Sequence, residues 1–98
     1  MLKIDKNIED DVLTIVLEGR LDTNTSLELE KQLPNLYGIN KIIFDMEKLE
    51  YMSSAGLRLI LMLQKKIQLK GTIVIRKPNE EIKNVLDMSG FTKYFTIE

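Results

Sequence analysis

The sequence predicts an α/β fold, because short apolar runs typical of strands alternate with longer segments that have the spacing and end signals of helices. Residues 12–17, 42–44 and 72–75 are rich in β-branched and large apolar side chains, as buried strands are. Residues 2–5 alternate apolar and polar side chains, which is typical of a half-buried edge strand. The polar segment 7–11 between the edge strand and the first buried run predicts a turn that closes a hairpin.

Three helices are predicted between and after these strands. The first opens at Thr25, because Thr25 and Glu28 fit a capping box in which a hydroxyl and a carboxylate satisfy free N–H groups, and Pro34 is expected to kink or end it. The third begins near residues 78–81, whose acids suit the positive end of a helix, and Gly90 stops it. Because the central strands are almost continuously apolar, helices are expected to cover both faces of the sheet.

The second helix begins at the adjacent serines Ser53 and Ser54, a short loop after the strand at residues 42–46, and runs to about residue 69. Apolar side chains nearly encircle it between residues 57 and 63, which favours a helix packed between the sheet and a neighbouring helix over an exposed partner patch. A serine at the start of a helix has two uses. Its hydroxyl caps the helix by accepting a hydrogen bond from a free N–H, or it is presented to a kinase and carries a phosphate.

Composition limits the classes of function. A length of 98 residues suits one domain, spanning residues 1–98, and a hydrophobic share of 44% suits a folded core. With 14 basic and 15 acidic side chains, the net charge of -1 produces no field that attracts nucleic acid. The longest apolar run, residues 59–63, is far shorter than the ~18 residues of a membrane-spanning helix. These features predict a cytoplasmic protein that binds no nucleic acid and has no membrane span.

The residue types leave few routes to catalysis. Without histidine or cysteine, a Ser-His-Asp triad and a cysteine nucleophile are excluded, and no lysine stands in an apolar setting that would make it a base for a serine. The sequence contains neither of the two common glycine-rich motifs that bind phosphate groups, Gly-x-x-x-x-Gly-Lys-Ser/Thr and Gly-x-Gly-x-x-Gly. Turn and cap roles suit the following aspartates, which show no calcium-loop spacing: Asp5, Asp10, Asp11, Asp22 and Asp45. We therefore expect a protein that is not an enzyme and needs no metal or cofactor.

Four segments together resemble the STAS domain family, named for sulphate transporters and anti-sigma factor antagonists. They are residues 19–22 after an apolar strand, 43–46, 51–57 around the serines, and 71–75 after a helix, so the resemblance covers nearly the whole chain. It implies a STAS-like α/β fold, in which a mixed sheet of about four to five strands with a largely parallel centre packs with about three to four helices. The small single-domain bacterial members that the chain resembles most are anti-sigma factor antagonists.

In that family the serine two places before the motif glycine is phosphorylated by a partner kinase, and alignment on Gly56 puts this serine at Ser54. The resemblance implies that the unmodified protein binds an anti-sigma factor serine kinase, that phosphorylation ends the binding, and that a phosphatase acting on phosphoserine is a further partner. Ser53 stands where the family often has aspartate, so Ser53 is either an alternative acceptor or a cap. This departure supports an alternative function, a constitutive and unphosphorylated STAS adaptor in another signalling or lipid-transport complex.

Several neighbours of Ser54 are candidates for a partner surface. Asp22 either caps the first helix or contacts the partner, and Asp45, at the end of its strand, is favoured as a loop-ordering hydrogen-bond acceptor. Gly56 either lets a partner backbone approach or permits close packing against the sheet. Arg58 is a candidate to pair with a partner carboxylate or with the phosphate, although a solvated surface position is the commoner role. The predicted partner-binding residues are Asp22, Ser53, Ser54, Gly56 and Arg58.

Overall fold

The computed structural model, which describes residues 2–67, 71–90 and 95–98, contains one mixed sheet and three helices within those residues. In chain order the elements are β1 (Leu2–Glu9), β2 (Val12–Leu21), α1 (Thr23–Gln32), β3 (Lys41–Met52), α2 (Ser54–Lys66), β4 (Thr72–Arg76), α3 (Glu80–Ser89) and β5 (Thr96–Ile97). The strands lie in the order β1-β2-β3-β4-β5. Only β1 is antiparallel to its neighbour, so the predicted mixed sheet with a largely parallel centre is confirmed.

The first two strands form the predicted hairpin. β1 pairs with β2 from Leu2↔Gly19 to Glu9↔Val12, and the chain turns at Asp10 with a positive φ of 58°. Aspartate tolerates this left-handed conformation better than most side chains, which suits it to the turn. β1 lies at the edge of the sheet, as predicted, and most of its side chains are exposed.

Buried side chains alternate with half-exposed ones along β2 and β3. The buried set is Leu13, Ile15, Leu17, Ile42, Phe44 and Met46, and the half-exposed set is Val12, Thr14, Val16, Ile43 and Asp45. Buried side chains of α1, α2 and α3 join this buried set in one core cluster, so the three helices lie on one face of the sheet. Right-handed crossovers that all step in the same direction lead to this arrangement. The prediction of helices on both faces is therefore wrong: along β2 and β3 the side chains of the other face are half-exposed, although Val74 of β4 is buried there.

β3 is longer than the sequence predicted and reaches the serines without a loop. Its pairing with β2 shifts twice, between Val16 and Glu18 and between Gly19 and Arg20, and at each shift β3 accommodates an additional residue. Such bulges let a strand continue through polar residues that would otherwise end it. Asp45 therefore lies within β3 rather than at its end, and its Oδ1 accepts a hydrogen bond of 3.1 Å from the N–H of Glu47 beside the first shift.

The capping box of α1 lies three residues before the predicted one. Asp22 is the N-cap, its Oδ1 accepts from the Thr25 N–H at 3.0 Å, and the Thr25 hydroxyl oxygen accepts from the Asp22 N–H at 2.8 Å. The Thr25 hydroxyl also donates to the Arg20 carbonyl at 2.8 Å, which keeps this side chain inside the first turn. The prediction that α1 starts at Thr25 is wrong for this reason, whereas its end before Pro34 is confirmed.

The predicted start of α2 and both predicted ends of α3 agree with the structure. α2 begins at Ser54 as predicted, and its predicted end near residue 69 lies outside the described residues. α3 begins at Glu80 after the N-cap Asn79, whose side chain accepts from the Ile82 N–H at 2.8 Å. It ends at Gly90, which has the left-handed conformation expected of a glycine stop, with φ of 76°.

The core lies between the sheet and the helices, and α2 is the helix most deeply embedded in it. Leu57, Leu59, Ile60 and Leu63 of α2 are buried, while Leu61 and Met62 are partly buried against the same cluster. α1 packs beside α2 and buries Leu29 completely in that cluster. The apolar side chains around α2 therefore face the sheet and a neighbouring helix, as the favoured interpretation predicted.

Two leucines on α1 test this packing directly. Leu29 is 0% exposed and Leu27 is 55% exposed, so they differ in burial but not in residue type or helix. We expect Leu29→Ala to lower the free energy of unfolding by about 2–5 kcal/mol, because it removes buried contacts and leaves a cavity. Leu27→Ala, the matched control, should change it by less than about 0.5 kcal/mol. Urea denaturation measures both values, and equal effects would contradict the orientation of α1.

Candidate functional site

The candidate site lies at the carboxyl ends of β2 and β3, where α1 and α2 begin. The pairing of the two strands ends at Leu21↔Met52, and the Ser53 N–H then donates to the Leu21 carbonyl at 2.9 Å. Asp22 follows Leu21 and Ser54 follows Ser53, so the two helices start side by side. This edge of an open α/β sheet is where binding sites commonly collect.

Ser54 is exposed at the first position of α2. Its Oγ accepts a hydrogen bond from Nη2 of Arg58 at 3.5 Å, and Arg58 is also exposed. Residues four apart lie on the same side of a helix, so this contact follows from their spacing. The bond is long and therefore weak, and the hydroxyl remains open to solvent and to another protein.

Ser53 differs sharply from its neighbour. It occupies the N-cap position of α2 with extended backbone, but its side chain accepts no hydrogen bond from the first turn. Its Oγ is buried, and it has no hydrogen-bond partner in the part of the chain that the structure describes. The prediction that Ser53 caps α2 is therefore wrong, because its hydroxyl points into the molecule. Of the two serines, Ser54 has the accessible hydroxyl.

Gly56 lies beneath the site rather than on its surface. It is buried, and a Cβ at this position would come within 2.8 Å of Cγ and Cδ2 of Leu21 and 3.0 Å of Cγ of Met52. Real Cβ atoms essentially never approach other heavy atoms below 3.0 Å. Glycine at this position therefore lets α2 approach the strand ends closely. This is the close-packing role predicted for Gly56, and not the exposed position expected of a residue that contacts a partner.

Asp22 is half-exposed and caps α1, which was one of the two roles predicted for it. Hydrogen bonds from the backbone N–H and the side chain of Thr25 lower the pKa of its carboxyl below the ordinary value of 3.8, and the positive charge of Arg20 adds to the effect. Asp22 therefore adds a negative charge beside the start of α2.

Two further contacts complete the site, and neither was predicted from the sequence. The guanidinium of Arg20 lies 4.2 Å from the ring centroid of Tyr51, a cation–π contact between paired residues of β2 and β3. Asn79 donates from Nδ2 to the carbonyls of Leu49 and Glu50, both at 3.3 Å, and so ties the start of α3 to the last part of β3. Arg20 and Tyr51 lie in segments that the sequence singled out, but their pairing depends on bulges that no local pattern reveals.

The site is a surface feature and not a cavity. A groove of about 690 Å³ lies at the other end of α2, lined among others by Leu36, Tyr37 and Ile67. Across the described ranges, no group of three or more acidic side chains is placed to hold a metal ion. The same residues include no helix long and apolar enough to cross a membrane.

Comparisons with known proteins agree with this fold. The STAS domain family model matches residues 3–98. BtrV of Bordetella bronchiseptica, named as an anti-sigma factor antagonist, is 28% identical over 99 residues, which cover 98% of this chain and 85% of BtrV. The structure of the unphosphorylated anti-sigma factor antagonist SpoIIAA has a TM-score of 0.85 at 19% identity and covers 98% of this chain and 88% of that one. Phosphorylated SpoIIAA from Bacillus has a TM-score of 0.76 at 19% identity, with 98% and 91% covered.

The Gly56 contact can be tested with a double-mutant cycle. Gly56→Ala should lower the free energy of unfolding by about 1–3 kcal/mol through overpacking, although alanine favours helix by about 1 kcal/mol. Leu21→Ala removes the side-chain atoms that the new Cβ would meet. The double variant should therefore be more stable than the sum of the two single losses predicts, as measured by urea denaturation. Simple additivity would contradict the contact.

The cap at Asp22 predicts a dependence of stability on pH. Asp22→Asn keeps an oxygen that can cap α1 but removes the charge and its titration. Because the pKa of Asp22 is lowered in the folded state, its carboxylate contributes stability fully above the unfolded pKa of about 3.9 and loses it as pH falls through the folded pKa. The unsubstituted protein should be the more stable at neutral pH, with the difference shrinking below about pH 4. Urea denaturation across that range measures it, and a constant difference would contradict the assignment.

Proposed function

Because this chain belongs to the STAS domain family, we propose that it is an anti-sigma factor antagonist switched by phosphorylation. The unmodified protein binds an anti-sigma factor that is a serine kinase, and the sigma factor that this kinase holds becomes free to direct transcription. Phosphorylation of Ser54 ends the binding, and a phosphatase acting on phosphoserine restores it. The protein works in the cytoplasm as a binding module and not as an enzyme.

The exposed hydroxyl of Ser54 is the observation that carries this proposal. In the transfer, Oγ attacks the γ-phosphorus of ATP, the bond from that phosphorus to ADP breaks, and the hydroxyl proton passes to a base of the kinase. The buried Oγ of Ser53 offers a kinase no such access, which favours Ser54 as the acceptor. BtrV and SpoIIAA are both named as anti-sigma factor antagonists, which favours this function over a constitutive adaptor.

The partner surface that we propose surrounds Ser54. Asp22 and Arg58 contribute charges of opposite sign, and Ser53 contributes its backbone. Gly56 does not contact the partner directly; it supports this surface by letting α2 pack close to the strands. A surface with both signs of charge suits a protein partner rather than the uniformly negative backbone of a nucleic acid.

Magnitudes explain how one phosphate switches this surface. A phosphoserine carries about −1.5 to −2 charges at neutral pH. An anion at a helix N-terminus stabilises the domain by about 0.3–1 kcal/mol, so the fold survives. A poorly paired charge buried in an interface costs about 2–5 kcal/mol, and each 1.4 kcal/mol changes affinity about tenfold. Binding should therefore weaken by about thirty-fold or more without any change of fold.

Incubation with the cognate anti-sigma factor kinase and ATP tests the acceptor, with site-resolved mass spectrometry as the readout. We expect phosphate on Ser54, retained in Ser53→Ala and lost in Ser54→Ala. In the same system Ser54→Asp should weaken kinase binding by about thirty-fold, while Ser54→Ala binds like the unsubstituted protein. Circular dichroism of each variant checks that it is folded.

The matched pair of alanine variants makes the result decisive, because both remove one hydroxyl from adjacent positions. Phosphate on Ser53, or on neither serine while the kinase is active, would contradict the proposal. Equal kinase affinity of the unsubstituted protein, Ser54→Ala and Ser54→Asp would do the same.

A further inference from the structure

We propose that Arg58 binds the phosphoryl group of phosphorylated Ser54 and so holds it on the outer face of α2, an inference that rests on the proposed function. The two residues already touch in the unmodified protein, through Nη2 of Arg58 and Oγ of Ser54 at 3.5 Å. Long side chains of a helix lean toward its N-terminus, so the guanidinium lies over the turn that holds Ser54. Phosphoryl oxygens project beyond Oγ, and they come within reach of the guanidinium without a change in the backbone.

The chemistry of the pair favours the modified state. A guanidinium presents a planar fork of donors that matches two phosphoryl oxygens, and such charge-assisted bonds are about twice as strong as neutral ones. The present hydrogen bond from Arg58 to the neutral hydroxyl is long and weak, so little bonding energy is lost when the guanidinium binds the phosphate instead.

The other arginines are already engaged. Arg20 lies over the ring of Tyr51, and Arg76 forms an ion pair with Glu98 at 3.6 Å. Among the described residues, no carboxylate forms an ion pair with Arg58. The first turn of α2 contains no acid that would compete with the phosphate. Arg58 is therefore the arginine whose cation is available to Ser54.

The pairing has a consequence for the partner surface. Before modification, the guanidinium of Arg58 is exposed and open to a carboxylate of the partner. After modification, the phosphate occupies the same donors. Phosphorylation thus adds negative charge to the surface and also occupies the donors of Arg58 that would otherwise bind a carboxylate of the partner.

The test uses the full chain with phosphoserine incorporated at position 54 during translation, so that it does not depend on any kinase. Titration by ³¹P NMR follows the second ionisation of the phosphate, which has a pKa near 6 in free phosphoserine. Arg58 stabilises the dianion, so Arg58→Gln should raise this pKa by about half a unit, a change of about threefold in proton affinity. Arg58→Lys, which keeps the charge but not the fork, should restore part of the shift.

Lys65→Gln is the matched control, because Lys65 is exposed on the same helix and the substitution removes the same charge in the last turn. It should leave the titration of phosphoserine 54 unchanged, and Asp22 is common to all variants. A titration unaffected by Arg58→Gln, or an equal shift in Lys65→Gln, would overturn the inference. Failure of the proposed function would instead appear as absent kinase modification of Ser54, which this titration does not require.

Discussion

One backbone hydrogen bond, from the Ser53 N–H to the Leu21 carbonyl, joins the two strands at the point where the helices of the site begin. It extends the pairing of β2 and β3 by one residue beyond Leu21↔Met52, so the chain leaves both strands at the same level. Asp22 then starts α1 and Ser54 starts α2, and the side chains of both reach the same surface. Gly56 lets α2 lie directly against Leu21 and Met52.

This junction separates two neighbouring serines into different roles. Ser53 continues the strand direction with extended backbone, and its hydroxyl is buried, where an unpaired polar group is unfavourable. Ser54 adopts helical backbone, which turns its side chain outward. A charge placed on Ser54 therefore meets solvent or a partner and not the core. Adjacent residues of the same type can differ this much because the change from strand to helix falls between them.

Much of this fold is predictable from local patterns, and the rest depends on contacts between distant segments. Apolar runs located β1 to β4 but not the two-residue β5, and Pro34 and Gly90 marked helix ends correctly, because these signals act within one turn. The bulges of β3 leave no local signal, so neither its length nor the contact of Arg20 with Tyr51 could be foreseen. The start of α1 is a local choice between a capping box at Thr25 and a cap at Asp22, and the reciprocal hydrogen bonds between Asp22 and Thr25 select the earlier start.

The site suits an electrostatic signal better than a conformational one. α1 and α3 have side-chain caps at Asp22 and Asn79, whereas the first turn of α2 has none and carries no acid. A phosphate at Ser54 therefore displaces no existing cap, and the positive end of the helix dipole tolerates it. The backbone on either side is held by the strand pairing and by the close contact at Gly56. We therefore expect a charge at Ser54 to act on whatever lies against the surface and to leave the domain beneath it unchanged.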